Sequence, residues 1–115
     1  MVNRDYSELK PDFSKIVDPE SGMGLLPAVV QDNTDLVILM VGFMNPEAYK
    51  KTLDTGKVTF WSRTRRTLWT KGETSGNFLG VVSMQLDCDD DTLLIKAQAY
   101  GPTCHRPGMR SCFDS

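Results

Sequence analysis

The apolar residues of this 115-residue chain come in short runs separated by polar turns. The longest, Leu36–Met44, has nine residues including a glycine. A membrane helix needs about 20, and a helical bundle needs a longer 3.6-residue repeat. Short runs rich in Val, Ile and Leu, bounded by Asp, Asn, Gly and Thr, are the pattern of strands. Leu25–Val30 and Leu36–Met44 read as two strands across the turn 31–35. Lys57–Ser62 and Leu68–Lys71 flank the basic turn 63–66. Phe78–Cys88, with Val82, Met84, Leu86 and Cys88 in step on one face, and Thr92–Tyr100 complete the set.

One helix interrupts them. Asn45-Pro46-Glu47 supplies an N-cap residue, a proline at the first helical position and an acid in the first turn. The helix is expected over Pro46–Asp54, with Gly56 ending it. Residues 1–20 carry Pro11 and Pro19 and are expected to form an arm, 1–12 being its polar part, with Phe13 and Ile16 as anchors. The sum is a single α+β domain over 1–115, mainly β, built from short antiparallel strands with one clear helix.

Net charge is −2 and the pI about 5.3, which argues against a general nucleic-acid binder. The N-terminus lacks the apolar stretch of a signal peptide. The chain is therefore expected in the cytoplasm, where thiols stay reduced and disulfides are rare. The three cysteines cannot all pair within one chain. Cys88, Cys104, Cys112 and the sole histidine, His105, all fall in the last 28 residues. Three thiolates suit a catalytic zinc site, which keeps a position open for water and would leave His105 free as acid or base. The spacing contains no C-x-x-C, which argues against a zinc finger or a thiol redox protein.

Asp87-Cys88-Asp89-Asp90-Asp91 puts four of fifteen acids into five positions. If the segment is extended, Asp87, Asp89 and Asp91 share one side, where a hard cation such as Mg²⁺ would relieve their repulsion. An EF-hand is excluded, because Thr92 and Gln98 stand where glycine and glutamate are required. Residues 57–73 carry a local balance of +4, interleaved with Trp61 and Trp69. The adjoining Lys71-Gly72-Glu73-Thr74-Ser75-Gly76-Asn77 is not a P-loop, but its small residues would let a backbone approach a ligand. Arg63 and Lys71 are the favoured phosphate contacts, with Ser75 beside them.

Taken together, Gly24–Gln31, Phe60-Trp61-Ser62-Arg63, Leu68–Asn77, Leu86–Asp91 and Gly101-Pro102-Thr103-Cys104-His105 with Arg110-Ser111-Cys112-Phe113 closely resemble the phosphoribosyl-AMP cyclohydrolase family of histidine biosynthesis. The likeness spans residues 13–113. It implies hydrolysis of the N1–C6 bond of the adenine ring of N1-(5-phosphoribosyl)-AMP, giving the formimino-aminoimidazole carboxamide ribonucleotide. It also implies an intertwined homodimer with one Zn²⁺ and one Mg²⁺ per subunit. Zinc would be held by Cys88 of one chain and Cys104 and Cys112 of the other, and magnesium by Asp87, Asp89 and Asp91. His105 would be the acid/base group. The terminal segment C-H-R-P-G-M-R-S-C is one residue longer than the family's usual C-H-T-G-x-R-S-C. The family is sometimes fused to a pyrophosphohydrolase, a second domain that a chain of 115 residues is expected to lack. The competing reading is a non-enzymatic, zinc-stabilised module whose basic and aromatic surface binds single-stranded nucleic acid. A nucleobase deaminase is excluded by the missing H-x-E…P-C-x-x-C pattern.

Overall fold

The structure is a computed structural model that describes residues 8–104 and 109–113. Its elements are β1 (Ile16–Val17), β2 (Gly24–Asp32), β3 (Ile38–Met44), α1 (Pro46–Thr55), β4 (Thr59–Ser62), β5 (Thr67–Thr70), β6 (Leu79–Leu86) and β7 (Leu93–Ala99). Five strands form one sheet in which β2 pairs with β1, β3 and β7, and β6 closes on β7. β4 and β5 form a separate hairpin.

The β2–β7 pair is parallel, with Ala28 opposite Leu93 and Val30 opposite Ile95. This corrects the expectation of antiparallel strands alone. The chain leaves the sheet through α1 and the β4–β5 hairpin before β6 and β7 return, and so long a crossover permits a parallel neighbour. Alternate residues of both strands then face the same core. Leu26, Ala28 and Val30 of β2, and Leu93, Ile95 and Ala97 of β7, are fully buried. Each large aliphatic side chain so buried contributes about 1.5–3 kcal/mol.

In β6 the expected alternation fails at one point. A bulge between Val81 and Ser83 shifts the register against β7, so Leu79 and Met84, five apart, both reach the core. Val82 and Leu86 are only half-buried, and Cys88 lies beyond the strand, exposed.

α1 begins where expected. Asn45 is fully buried, and its side-chain oxygen accepts from the Ala48 N–H at 2.8 Å. Gly56, at φ 73°, donates its N–H to the Thr52 carbonyl. The helix turns Ala48, Tyr49 and Thr52 inward. Thr52 Oγ1 accepts from the Thr59 N–H at 3.0 Å, fastening the helix to β4.

The described part of the N-terminal arm lies on the domain rather than beside it. Ile16 and Val17 pair with Leu25 and Gly24. Leu9 and Phe13 pack against the core, and the Phe13 ring meets Tyr49 edge-on at 6.1 Å. The Asp12 N–H donates to the Asp90 carbonyl at 2.6 Å, so the arm also touches the acidic turn.

Candidate metal and substrate site

The terminal segment is fixed to the sheet at several points. Gly101, at φ 125°, turns the chain away from β7, a conformation that L side chains rarely adopt. Its α-carbon lies against the Asn77 side chain, so a Cβ there would collide with Asn77. The terminal segment therefore packs on the end of the K-G-E-T-S-G-N loop. Thr103 N–H donates to the Arg110 carbonyl, and Cys112 N–H to the Leu39 carbonyl at 2.9 Å on β3. Ser111 Oγ donates to the Ile38 carbonyl at 2.6 Å. The Arg110 guanidinium lies 3.1 Å from Asp32 Oδ2 and 2.9 Å from Asp35 Oδ2 in the β2–β3 turn. Its hydrogen bonds hold the Asp35 carboxyl below the usual carboxylate range.

These anchors bring Cys104 and Cys112 close enough for the one thiol to shift the other's titration. Cys112 keeps part of its surface open, yet partial burial of its thiol pushes its pKa up. The neighbouring Cys104 pushes in the same direction, and the positive charge of Lys71 pulls back. Thr103, beside Cys104 in sequence, is 1% exposed, and its hydroxyl has no partner among the described residues. Sequence reasoning missed Thr103; a threonine is unremarkable until its burial is known.

Cys88 lies in the turn after β6 and does not join this pair. Among the described residues no three His, Cys, Asp or Glu side chains gather at metal-binding distance. His105 lies outside the described residues.

The acidic run is a turn rather than the extended segment that alternation assumed. Asp87 Oδ1 accepts from the N–H groups of Asp91 at 3.1 Å and Thr92 at 3.2 Å, and Asp90 sits at φ 60°. Burial raises the Asp87 pKa, but these N–H donors outweigh it and the net shift is downward. Asp91 Oδ2 lies 3.3 Å from Lys15 Nζ, which also donates to the Asp89 carbonyl at 3.4 Å. A lysine of the arm thus already serves as a counter-ion to this turn.

The basic residues have distinct surroundings. Arg63 is exposed, stacks 4.5 Å over the Phe43 ring, and borders a hollow of about 290 Å³ with Asp18, Pro19, Glu20 and Thr64. Arg66 is committed to Asp18 and Glu20. Ser75 is exposed, its Oγ accepting from the Asn77 N–H. Lys71 is 7% exposed. Lys51 and Lys57, with Thr55, Thr70, Glu73 and Phe78, line a second hollow of about 290 Å³. Lys51 drew no notice in the sequence because nothing marks one helical lysine from another. Trp69 packs on Phe60, and Trp61 lies beneath Arg66, so neither offers a free stacking platform.

The family model for phosphoribosyl-AMP cyclohydrolase matches residues 40–114, which include the thiol pair, the acidic turn and the K-G-E-T-S-G-N loop. The chain belongs to the phosphoribosyl-AMP cyclohydrolase family. Relatives agree. The histidine biosynthesis bifunctional protein of Photobacterium profundum is 62% identical over 92 residues, covering 80% of this chain and 44% of that protein. Its namesake in Escherichia coli K12 is 60% identical over 97 residues, 84% of this chain and 47% of that one. The protein of that name in Bacteroides thetaiotaomicron is 62% identical over 90 residues, 78% and 44%. This phosphoribosyl-AMP cyclohydrolase domain thus spans about half the length of the curated relatives it matches. Among its described residues no helix is long and apolar enough to cross a membrane.

Proposed function

We propose that the domain hydrolyses the N1–C6 bond of the adenine ring of N1-(5-phosphoribosyl)-AMP, within histidine biosynthesis. Family membership supports this reading, and the observation that carries it is the Cys104–Cys112 thiol pair, pinned to β3 by its own backbone. Two adjoining thiols suit a thiophilic cation, but two ligands fall short of the three that a catalytic zinc uses. The exposed Cys88 of a second copy is the third, which makes the working unit a homodimer. Asp87, Asp89 and Asp91 would hold Mg²⁺, with Lys15 yielding Asp91 to it.

When bound, zinc lowers the pKa of a water molecule to about 7 and so supplies hydroxide at neutral pH. The N1 substituent leaves the adenine ring electron-poor at C6, where hydroxide adds. His105 takes up and returns the proton, delivering it to N1 as the C6–N1 bond breaks. Arg63, exposed and stacked on Phe43, and Ser75 would orient the phosphoribosyl groups.

The test is an absorbance assay of phosphoribosyl-AMP ring opening by the purified chain. Turnover should vanish on full chelation and return on adding Zn²⁺ and Mg²⁺. Turnover that persists in protein shown to be metal-free, or a Cys88→Ala protein with normal zinc content and normal turnover, overturns the reading.

A further inference from the structure

Two lysines stand at one hollow. Lys51, near the end of α1, and Lys57, just ahead of β4, line the cavity of about 290 Å³ whose wall includes Phe78 and Glu73. Both lysines are exposed. The ion pairs among the described residues engage Lys15, Lys50, Arg66 and Arg110, and neither of these two. Glu73 does not neutralise them: its Oε1 accepts from the Thr70 N–H at 2.8 Å instead. Two like charges at one hollow repel each other, and an anion between them relieves the repulsion.

Lys57 is fixed in place. Its N–H donates to Thr55 Oγ1 at 3.1 Å, and its backbone bridges to Gly80 of β6. Its ammonium lies 4.0 Å from the centre of the Phe78 ring, whose face attracts a cation. A side chain so held loses little freedom when a ligand arrives. The helix dipole accounts for a cation near the end of α1, but not for a second one fixed over an aromatic ring.

The hollow lies within reach of the thiol pair. The Phe78 carbonyl accepts from the Tyr100 N–H at 2.9 Å, and Gly101 backs onto Asn77. Cys104 follows three residues after Gly101, which is at most about 11 Å of chain. The other basic hollow, bordered by Arg63, lies at the tip of the β4–β5 hairpin, whereas Lys57 and Thr70 stand at its base. The extended stretch from Lys57 to Arg63 measures about 20 Å. The substrate read above carries one phosphate on each of two ribosyl groups, attached to opposite sides of the adenine ring. Two separated basic hollows on one hairpin match two separated phosphates.

We propose that Lys51 and Lys57 form the subsite for one phosphate of the substrate, with Arg63 serving the other. This rests on the ring-opening reading above. Lys71 is buried and does not line this hollow. Neither Lys51 nor Lys57 touches the reacting atoms. Their contacts are the same before and during bond breaking, so losing them weakens binding without slowing the chemical step.

The experiment compares the full-length wild-type protein, loaded with Zn²⁺ and Mg²⁺, with Lys51→Met, Lys57→Met, the double variant and Lys50→Met. Lys50 pairs with Asp54 at 3.1 Å and does not line the hollow, so it controls for loss of surface charge. The readouts are kcat, KM for phosphoribosyl-AMP and the inhibition constant of inorganic phosphate. Each single hollow variant should raise KM at least about tenfold, the scale of one lost charge-assisted hydrogen bond. The double variant should raise it further, with kcat held within about twofold. The inhibition constant of phosphate should rise in step, and Lys50→Met should behave as wild type. Lys57→Gln takes the place of Lys57→Met if the latter does not fold. A double variant with wild-type KM and wild-type phosphate inhibition overturns the subsite and leaves the ring-opening reading intact. An equal rise of KM in Lys50→Met, or a fall in kcat at unchanged KM, also overturns it. A wild-type protein that does not open phosphoribosyl-AMP overturns the ring-opening reading and this subsite together.

Discussion

Arg66 Nη1 lies 2.6 Å from Asp18 Oδ2, tying the tip of the β4–β5 hairpin to the turn between β1 and β2. Asp18 is 2% exposed. Its carboxylate also accepts from Ser21 Oγ at 2.8 Å. Burial alone would raise its pKa, but Arg66, Ser21 and the Glu20 N–H outweigh burial and hold it below 3.8. A depressed folded-state value means that the carboxylate stabilises the fold fully above its unfolded pKa. That contribution is lost as pH falls through the lower folded value. Thermal melts should therefore show wild type losing stability below about pH 4. Asp18→Asn should melt lower at pH 7 and depend less on acid. Arg66→Met should be the worse variant at pH 7, because it strands the buried carboxylate without its partner.

The start of α1 makes a second prediction. Asn45 has no surface to spare and caps the Ala48 N–H at 2.8 Å. Asn45→Ala should cost about 1–2 kcal/mol, read as a lower denaturant midpoint with unchanged slope. Asn45→Asp should retain most of the stability, since aspartate caps as well. If alanine is neutral, the cap contributes nothing here.

Two glycines separate conformational strain from collision. Gly76, at φ 84°, has nothing within 4 Å of a built Cβ, so Gly76→Ala should cost about 1 kcal/mol, from backbone strain alone. Gly101→Ala faces the same kind of strain at φ 125° and also drives a Cβ into Asn77. It should lose at least about 1–3 kcal/mol more and should disturb zinc content, because Cys104 follows three residues later. Equal denaturant midpoints for the two alanine variants contradict this ranking.

The parts legible in the sequence were those whose signals are local. Asn45, Pro46 and Gly56 bracket α1 because a cap needs only its own turn. The alternation of Leu26, Ala28 and Val30 marks a strand wherever it pairs. The partner of that strand was not legible: β7 joins β2 in parallel from more than sixty residues away, which no local pattern records. The bulge at Val81/Ser83 likewise depends on β7, and it takes Val82 off the core face while Leu86 still packs against the core. The acidic run misled because alternation applies only to extended chain, and Asp87 uses its carboxylate to close a turn. The Cys104 and Cys112 pairing is set by anchors on Ile38 and Leu39, over seventy residues upstream. Lys71 looked like one basic residue among five, and only its burial sets it apart.

The separation of Cys88 from the Cys104–Cys112 pair leads to the most demanding prediction. If zinc takes Cys88 from one chain and Cys104 and Cys112 from its partner, Cys88→Ala and Cys112→Ala should each abolish ring opening alone. In a mixed dimer the two lesions fall on the same site, and the other site keeps all three thiols. Random pairing of co-expressed variants makes half of the dimers mixed, each with one intact site, so activity and zinc content should recover to about a quarter of wild type. Differently tagged chains allow the mixed dimer to be isolated, and it should then show about half the wild-type activity and one zinc per dimer. A zinc set confined to one chain gives no recovery in either experiment. Co-expressing Cys104→Ala with Cys112→Ala is the control: both lesions strike the same half-site, so every dimer has two broken sites and should stay inactive.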